Sequence, residues 1–438
     1  MYDAAHMYPS DSLHWLYAQY LKYPHVSTDT RSITPQSIFF ALRGTRFDGN
    51  AFADEALERG AALAVIDDAR YRRDSRYIQV DDVGRTLQAL AHFHRQQLQI
   101  PIVGITGSYG KTTTKELTQA VLRQRYKSYA TPGNLNNAIG VPLSLLSIPR
   151  DAEIGVIEMG ANHVGEIAML CQLAMPTHGL ITSVGPVHLE GFGSFEGVMR
   201  GKAELYDYLK QHQGHLFINA TDPHLLRMAG VVSAPTYYLD PSGFYHSTLL
   251  EAAPYVVYAG EHGQRVATQL VGAHHFYNIA AALCIGKYFA VDACKAHAAV
   301  AAYRPLNNRS QMIHQGSNTI LLDAYNANPD AVKRAIQALQ TIETTHKVLI
   351  LGDMHELGEE SHRFHREIVA MTMQASYHTV ILCGPHLALA QAENPQALYL
   401  DKVATASYLR ARTFTNTAFL IKGSRSLQLE TLVDCIHG

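Results

Sequence analysis

The stretch Ile100-Pro101-Ile102-Val103-Gly104-Ile105-Thr106-Gly107-Ser108-Tyr109-Gly110-Lys111-Thr112-Thr113 governs how the rest of the chain reads. An apolar run enters a Gly-rich turn, and a helical pattern continues from Thr112 to about Arg125. A strand, a glycine turn and a helix start in that order aim successive backbone N–H groups, and the positive end of a helix, at one spot. That spot suits a polyphosphate. Lys111 is expected to reach the β- and γ-phosphates, and the Thr112 hydroxyl to ligate Mg²⁺. The pattern GxxGxxGKT differs from the common P-loop, which would need glycine where Ile105 stands.

Working outward, Glu158 follows the strand-like Gly155-Val156-Ile157, where a nucleotide site needs a metal-holding carboxylate. His188 lies past a third strand, Leu180-Ile181-Thr182-Ser183-Val184, beside Gly191 and Gly193. Further strands at Gly179–Ile181 and His215–Ile218 alternate with helical spans, which predicts an α/β fold with a mainly parallel sheet. Residues 1–98 read as a small α/β module, with strands at Ser37–Leu42 and Ala62–Ile66 and helical spacing at Phe52, Ala56 and Leu57. Residues 99–305 form the nucleotide domain. From 306 to 438 the alternation repeats in a Rossmann-like way, with strands Val348–Leu351, Val380–Cys383 and Ala418–Ile421 running into Gly352, Gly384 and Gly423.

The 438 residues suit two to four domains at roughly 100–200 residues each. With 47% apolar and 17% charged residues the composition is that of a folded chain, which excludes global disorder. The 36 Lys and Arg against 38 Asp and Glu leave a formal charge of −2, so any anion site is local and neither nucleic acid nor an anionic membrane is an expected partner. Apolar runs fall far short of the ~20 residues a spanning helix needs. Asp3, His6, Asp11 and His14 stand where a secretory signal would be basic and then apolar, so the cytoplasm is the expected compartment. Five cysteines without a CxxC pair are expected as reduced core residues, and the 24 histidines contain no HExxH.

Four segments resemble the Mur ligase family, ATP-dependent enzymes that form amide bonds in the cell-wall peptide precursor. They are Glu158-Met159-Gly160-Ala161-Asn162-His163, His188-Leu189-Glu190-Gly191-Phe192-Gly193, Asp323-Ala324-Tyr325-Asn326-Ala327-Asn328-Pro329 and Gly352-Asp353-Met354-His355-Glu356-Leu357-Gly358. Ser27–Arg31 and Phe39–Gly44 resemble the family's amino-terminal module, so the likeness covers nearly the whole chain. The segments are most similar to the branch that adds D-alanyl-D-alanine to UDP-N-acetylmuramoyl-tripeptide. The DNPR tetrapeptide of the sister branch, which adds the diamino acid, does not occur.

The resemblance implies that Gly107, Ser108, Gly110, Lys111, Thr112 and Thr113 hold the ATP phosphates, and that Thr112, Glu158 and His188 hold magnesium. It puts Lys202 where relatives carry a carbamylated lysine bridging to a second magnesium. Asn278 falls in a motif lining the nucleotide site, with His275 where many relatives have Asn. Arg309, Asp323, Tyr325, Asn326 and Asn328 would close on phosphates, ribose and base, although Asn328-Pro329 reads equally as a turn. Lys111, Lys202, His188 and Arg309 form the implied catalytic set. Thr28, Asp29, Arg31, Arg43, Gly44, Arg46 and Asp48 would meet the UDP end, the three arginines as diphosphate partners. Asn134, Asn136 and Asn137 join the substrate set, while Glu356, His362, Lys422, Ser424 and Arg425 fall in segments near the incoming dipeptide. A monomer is expected.

The implied reaction explains this selection of residues. A carboxylate must first attack the γ-phosphate to become an acyl phosphate, which an amine then displaces. With a reference pKa of about 3–4 it is already ionised, so that step calls for cations rather than a general base. Two anions at ~4 Å repel by about 4 kcal/mol at an effective dielectric of 20, which Mg²⁺, Lys111 and Arg309 must outweigh. Closure of the third domain would keep water from the acyl phosphate. Two rival classes are a P-loop phosphotransferase or switch GTPase, which would need no amine, and a non-catalytic nucleotide sensor. A GTPase would carry an NKxD signature, which this sequence lacks, and a sensor normally loses the lysine or a metal ligand, whereas Lys111, Thr112, Glu158 and His188 are all present.

Overall fold

The computed structural model describes residues 10–45 and 47–437, so the expectation for Arg46 lies outside the described residues. Two compact units emerge. The first takes the described residues up to Val184 with Met199–Ile218 and Asp222–Thr236; the second takes Gly185–Val198, Asn219–Thr221 and everything described from Tyr237 onward.

The first unit holds two parallel sheets. Strands His25–Ser27, Ser37–Phe40, Leu63–Ile66 and Tyr77–Gln79 lie side by side in that order. Ser37–Phe40 and Leu63–Ile66 are buried at every position, which parallel strands require when both faces are covered. Helix Ala53–Glu58 packs on this sheet, and helix Val83–Gln97 joins it to the second. The joining helix starts at Asp82, whose side chain accepts the Arg85 N–H, and its Arg95 is buried. Arg95 Nε and Nη2 donate to the carbonyls of Ala174 (2.8 Å) and Met175 (3.0 Å), where helix Glu166–Ala174 ends with unpaired acceptors. Tyr20 adds a 2.6 Å bond from its hydroxyl to Leu146 O. In the second sheet, Ile102–Thr106 lies between Ile154–Glu158 and His178–Ile181, with Ser128–Ala130 and His215–Asn219 outside them. The register sets Ile105 beside Glu158 and Thr106 beside Ile181. Three strand ends thus meet where helix Lys111–Leu122 begins.

The second unit carries a three-stranded antiparallel sheet, Thr248–Glu251, Tyr255–Ala259 and Arg265–Val271, that the sequence reading did not anticipate. Its larger sheet runs Gln311–Gln315, Asn318–Asp323, Thr417–Lys422, His346–Gly352, Thr379–Cys383, Leu398–Tyr399. Only the first pair is antiparallel. Alternation along the strands feeds two cores: Leu349 and Leu351 join Val332, Ile336 and Leu339 on one face, while Val348 and Ile350 join Phe419 and Ile421 on the other.

The α/β class with parallel sheets holds. The helix expected over 112–125 spans Lys111–Leu122, and the strand expected at Ala62 starts at Leu63. Four of the five cysteines are buried and all are free, but Cys294 is exposed, because the first turn of helix Ala293–Ala302 presents it outward. Among the described residues no helix is long and apolar enough to cross a membrane.

Burial of neutral histidines makes the first unit acid-sensitive. Desolvation pushes His94, packed among Tyr17 and Tyr20, and His178, beside His215, from the usual 6.5 down to about 4. Each stabilises the fold fully above pH 6.5, and that contribution is lost as pH falls toward 4, since the unfolded chain binds protons first. Urea midpoints measured at pH 7.5 and pH 5 are expected to show a loss on the order of 1–2 kcal/mol per histidine. His94→Phe should flatten the slope; an unchanged pH profile in that variant would contradict the assignment.

Candidate functional site

The phosphate loop is shaped by two glycines and pinned by the neighbouring strand end. Gly107 has φ +143°, and a Cβ there would sit 2.1 Å from Thr182 Oγ1, so no other residue fits. Gly110, at φ +78°, is the N-cap of helix Lys111–Leu122. Ser108 N donates to Ser183 O (2.8 Å), Tyr109 N to Ser183 Oγ (3.2 Å), and Thr182 Oγ1 to Tyr109 O (2.5 Å). These partners, more than 70 residues away in sequence, escaped the sequence reading. Lys111 Nζ lies back over the turn, donating to Gly107 O at 2.6 Å.

Glu158 is fully buried at the strand end. Its Oε1 accepts from Thr112 Oγ1 (3.0 Å) and Asn136 Nδ2 (2.8 Å), and its N–H donates to Thr131 Oγ1 (3.0 Å). Oε2 has no hydrogen-bond donor and faces Lys115 Nζ at 3.7 Å. A hydroxyl beside a buried carboxylate with an unbonded oxygen fits a hard divalent cation. Thr112 and Glu158 are brought together as expected. Asn136, expected in the substrate set, holds Glu158, and Asn137 Oδ1 caps helix Gly140–Leu146 through the N–H groups of Ile139 and Gly140; Asn134 is exposed. Lys115 was missed: one turn beyond Lys111 it reads as a surface lysine, yet it is 1% exposed and donates to Thr131 O (2.8 Å) and Gly133 O (2.9 Å).

Lys202 is also buried, its Nζ donating to Ala161 O at 3.1 Å. Burial, reinforced by the Lys111 ammonium, holds its pKa well below the lysine range. Glu204 accepts from Gly165 N (2.6 Å) and Ala168 N (2.8 Å), capping helix Glu166–Ala174. In the first module the expected diphosphate arginines have local partners. Arg31 is bidentate to Asp29, which itself caps a short 3₁₀ turn, and Arg43 Nε is 2.9 Å from Asp67 Oδ1. Asp48 caps Gly49–Phe52 through Asn50, the Gly44 N–H donates to Phe47 O, and Thr28 is half-buried.

The remaining expected residues belong to the second unit, His188 among them. The structure therefore packs His188 in a different unit from Thr112, Glu158 and Lys202. His188 Nδ1 is 2.5 Å from Glu356 Oε2, a contact that lowers the Glu356 pKa below the usual carboxylate value. Lys422, 1% exposed, donates to Asp323 Oδ2 (2.5 Å) and Asn326 O (3.0 Å), while Asp323 Oδ1 accepts from Ser310 N (3.1 Å). Lys422 thus organises the Asp323–Asn326 turn. The Arg309 guanidinium stacks over Tyr325 at 3.7 Å; Arg425 approaches the same ring at 5.8 Å and pairs with Glu430 at 2.6 Å. Asn326 bonds the next N–H, and Asn328 caps helix Pro329–Gln340, which is the turn alternative. Asn278 Nδ2 lies 3.2 Å from His275 Nδ1, and burial pushes His275 down to about 4, so it is neutral. Ser424 bridges Asp353 O and His355 N; His362 is exposed. Among the described residues no three His, Cys, Asp or Glu side chains converge as a ready metal cage.

Three family models match: the Mur ligase family catalytic domain over residues 22–95, the Mur ligase middle domain over 105–286, and the Mur ligase glutamate ligase domain over 308–425. Together with relatives above 30% identity along nearly their whole length, these matches mean that the chain belongs to the Mur ligase family. It is 34% identical over 429 residues to the UDP-N-acetylmuramoyl-tripeptide--D-alanyl-D-alanine ligase of Escherichia coli, covering 94% of this chain and 93% of that one. The Bacillus subtilis ligase of the same name is 33% identical over 423 residues, with 93% and 92% covered. Among solved structures, MurF ligase from Thermotoga maritima in complex with ADP superposes with a TM-score of 0.80 at 27% identity, covering 95% and 97%.

Proposed function

We propose that the chain is an ATP-dependent ligase that joins D-alanyl-D-alanine to the carboxylate of UDP-N-acetylmuramoyl-tripeptide in peptidoglycan precursor synthesis. The observation that carries the proposal is the pairing of the Gly107–Gly110 loop with the Thr112–Glu158 contact at adjacent strand ends. Alongside it stands the likeness to ligases of that name over nine-tenths of the chain. ATP is the energy source, in keeping with the ADP bound by the Thermotoga relative.

The loop N–H groups and Lys111 would receive the phosphates, with Lys111 exchanging its bond to Gly107 O for phosphate oxygens. Thr112 and Glu158 would hold Mg²⁺, with His188 and a carbamate on Lys202 as the remaining ligands taken from the family. Bound magnesium would neutralise charge between the two approaching anions. Arg309 adds a further cation, and Asn278, Asp323, Tyr325 and Asn326 would contact nucleotide. Residues 1–98 are assigned to the UDP end, 99–305 to ATP and 306–438 to the dipeptide, in a cytoplasmic monomer.

The test is phosphate release with ATP, Mg²⁺ and UDP-N-acetylmuramoyl-tripeptide, run with and without D-alanyl-D-alanine. Turnover is expected only with the dipeptide. Turnover on a UDP-dipeptide substrate with diaminopimelate or lysine instead would transfer the chain to the sister branch, and turnover with no amine would favour a phosphotransferase.

A further inference from the structure

Strands Ser37–Phe40 and Leu63–Ile66 of the first module run parallel and side by side, and open α/β sheets take their ligands at the carboxyl ends of such strands. A polar knot occupies that end. Asn50 lies at its centre, fully buried. One Nδ2 hydrogen goes to Asp48 Oδ1 and the other to Asp67 Oδ1, both at 2.8 Å, while Asn50 Oδ1 accepts the Asp67 N–H at 3.0 Å. Both donors of the amide are thus spent on carboxylates, and the bond to Asn50 holds the Asp48 carboxyl below the usual carboxylate range. Asp67 Oδ2 accepts from Val83 N at 3.4 Å, so this carboxylate is fixed from two sides. Its Oδ1 stands 2.9 Å from Arg43 Nε, whereas Asp68 and Asp48 keep 3.5 and 3.7 Å from the guanidinium. Asp68 has its own bidentate partner in Arg70. The Arg43 side chain remains about half exposed, anchored on its Nε side and open to solvent.

We infer that Asn50 is a positioning residue for the diphosphate of the UDP-linked substrate: it fixes the Asp67 carboxylate, which in turn holds the Arg43 guanidinium ready for a phosphate oxygen. The inference rests on the proposed assignment of the UDP end to residues 1–98. A long side chain free on a loop loses rotamer entropy when it binds, and pairing it beforehand moves that cost into folding. The planar fork of arginine allows both contacts, since a carboxylate at Nε leaves the Nη hydrogens for phosphate. An amide is the chemistry that position 50 requires. A carboxylate there would repel Asp48 and Asp67, and an alkyl group would leave the buried Asp67 N–H without an acceptor. Gly49 admits the close approach of the chain beside it, because a Cβ there would lie 2.2 Å from Leu42 O.

The experiment is phosphate release by the full chain, with UDP-N-acetylmuramoyl-tripeptide varied at saturating ATP and D-alanyl-D-alanine. Asn50→Ala is expected to raise KM for the UDP-linked substrate by roughly tenfold, as for one mis-set charge-assisted hydrogen bond, while kcat and KM for ATP stay within about twofold. Arg43→Ala should raise the same KM, and the double variant Arg43→Ala/Asn50→Ala should be no worse than Arg43→Ala alone, because the two act as one unit. Asp67→Asn keeps the shape but removes the charge facing Nε. It should also raise that KM, and it decides the matter if Asn50→Ala does not fold. A wild-type KM in either Asn50→Ala or Asp67→Asn, with Arg43→Ala raised, would overturn the inference and leave the UDP assignment standing. Additive effects in the double variant, or a KM for ATP that rises in step, would mean general loosening of the module and overturn it as well. Unchanged KM in Arg43→Ala would remove Arg43 from the diphosphate and the inference with it. A wild-type chain whose turnover ignores the UDP-linked substrate would instead sink the assignment of residues 1–98 itself.

Discussion

Lys111→Ala should leave the fold intact and lower ADP release by two to three orders of magnitude or more. The side chain is only half-buried and begins a helix, where alanine is the best former, so the structural cost is chiefly that of its bonds to Gly107 O and Ser108 O, about 1 kcal/mol each. The chemical loss is larger. Lys111 is proposed to stabilise charge on the transferred phosphoryl group, and a single preorganised donor is commonly worth about 10²–10³ in rate. The variant should therefore melt near the wild-type temperature while a coupled ADP assay falls close to background. Near-wild-type turnover would remove the loop from the reaction.

Lys202→Ala carries the second large effect. An exposed lysine is an ammonium and inert toward CO₂. Lys202 is 1% exposed, and burial, reinforced by the Lys111 ammonium, disfavours its proton and so favours the free amine. Attack of that amine on CO₂ would form an N–C bond, release one proton and leave the proposed carbamate anion on Lys202. Loss of that anion should cost about 100-fold in turnover, the upper range for an altered metal environment. Short carboxylic acids should restore part of the activity by returning a carboxylate to the space the truncation opens. Full activity in Lys202→Ala without added acid would show the residue to be ordinary; a dead variant that no acid rescues would leave packing as its role and refute the carbamate.

Much of this was legible in the chain because it is local. Gly107, Gly110, Lys111 and Thr112 lie within six consecutive residues, and apolar strands such as Val348–Leu351 announce themselves without tertiary information. What escaped depends on partners distant in sequence. Lys115 looks like any helical lysine until Thr131, Gly133 and Glu158 surround it. Arg43 looks like a free cation until Asp67, 24 positions on, takes its guanidinium. The antiparallel strands from Thr248 to Val271 carry charged and polar residues at exposed positions, with burial too discontinuous to stand out as apolar runs. His188 falls within the matched middle domain by chain order, and its contact with Glu356, 168 positions on, has no signal in the sequence.

The buried Arg95 clamp has a further consequence. It ties the helix that follows the amino-terminal sheet to the end of helix Glu166–Ala174 beside the nucleotide sheet, both within the first unit. If residues 1–98 hold the uridine end and the phosphate loop receives the reacting acid, as proposed, the stem peptide would be gauged by length. A stem one amino acid shorter would fall short by up to ~3.5 Å, the span of one extended residue and more than in-line attack tolerates.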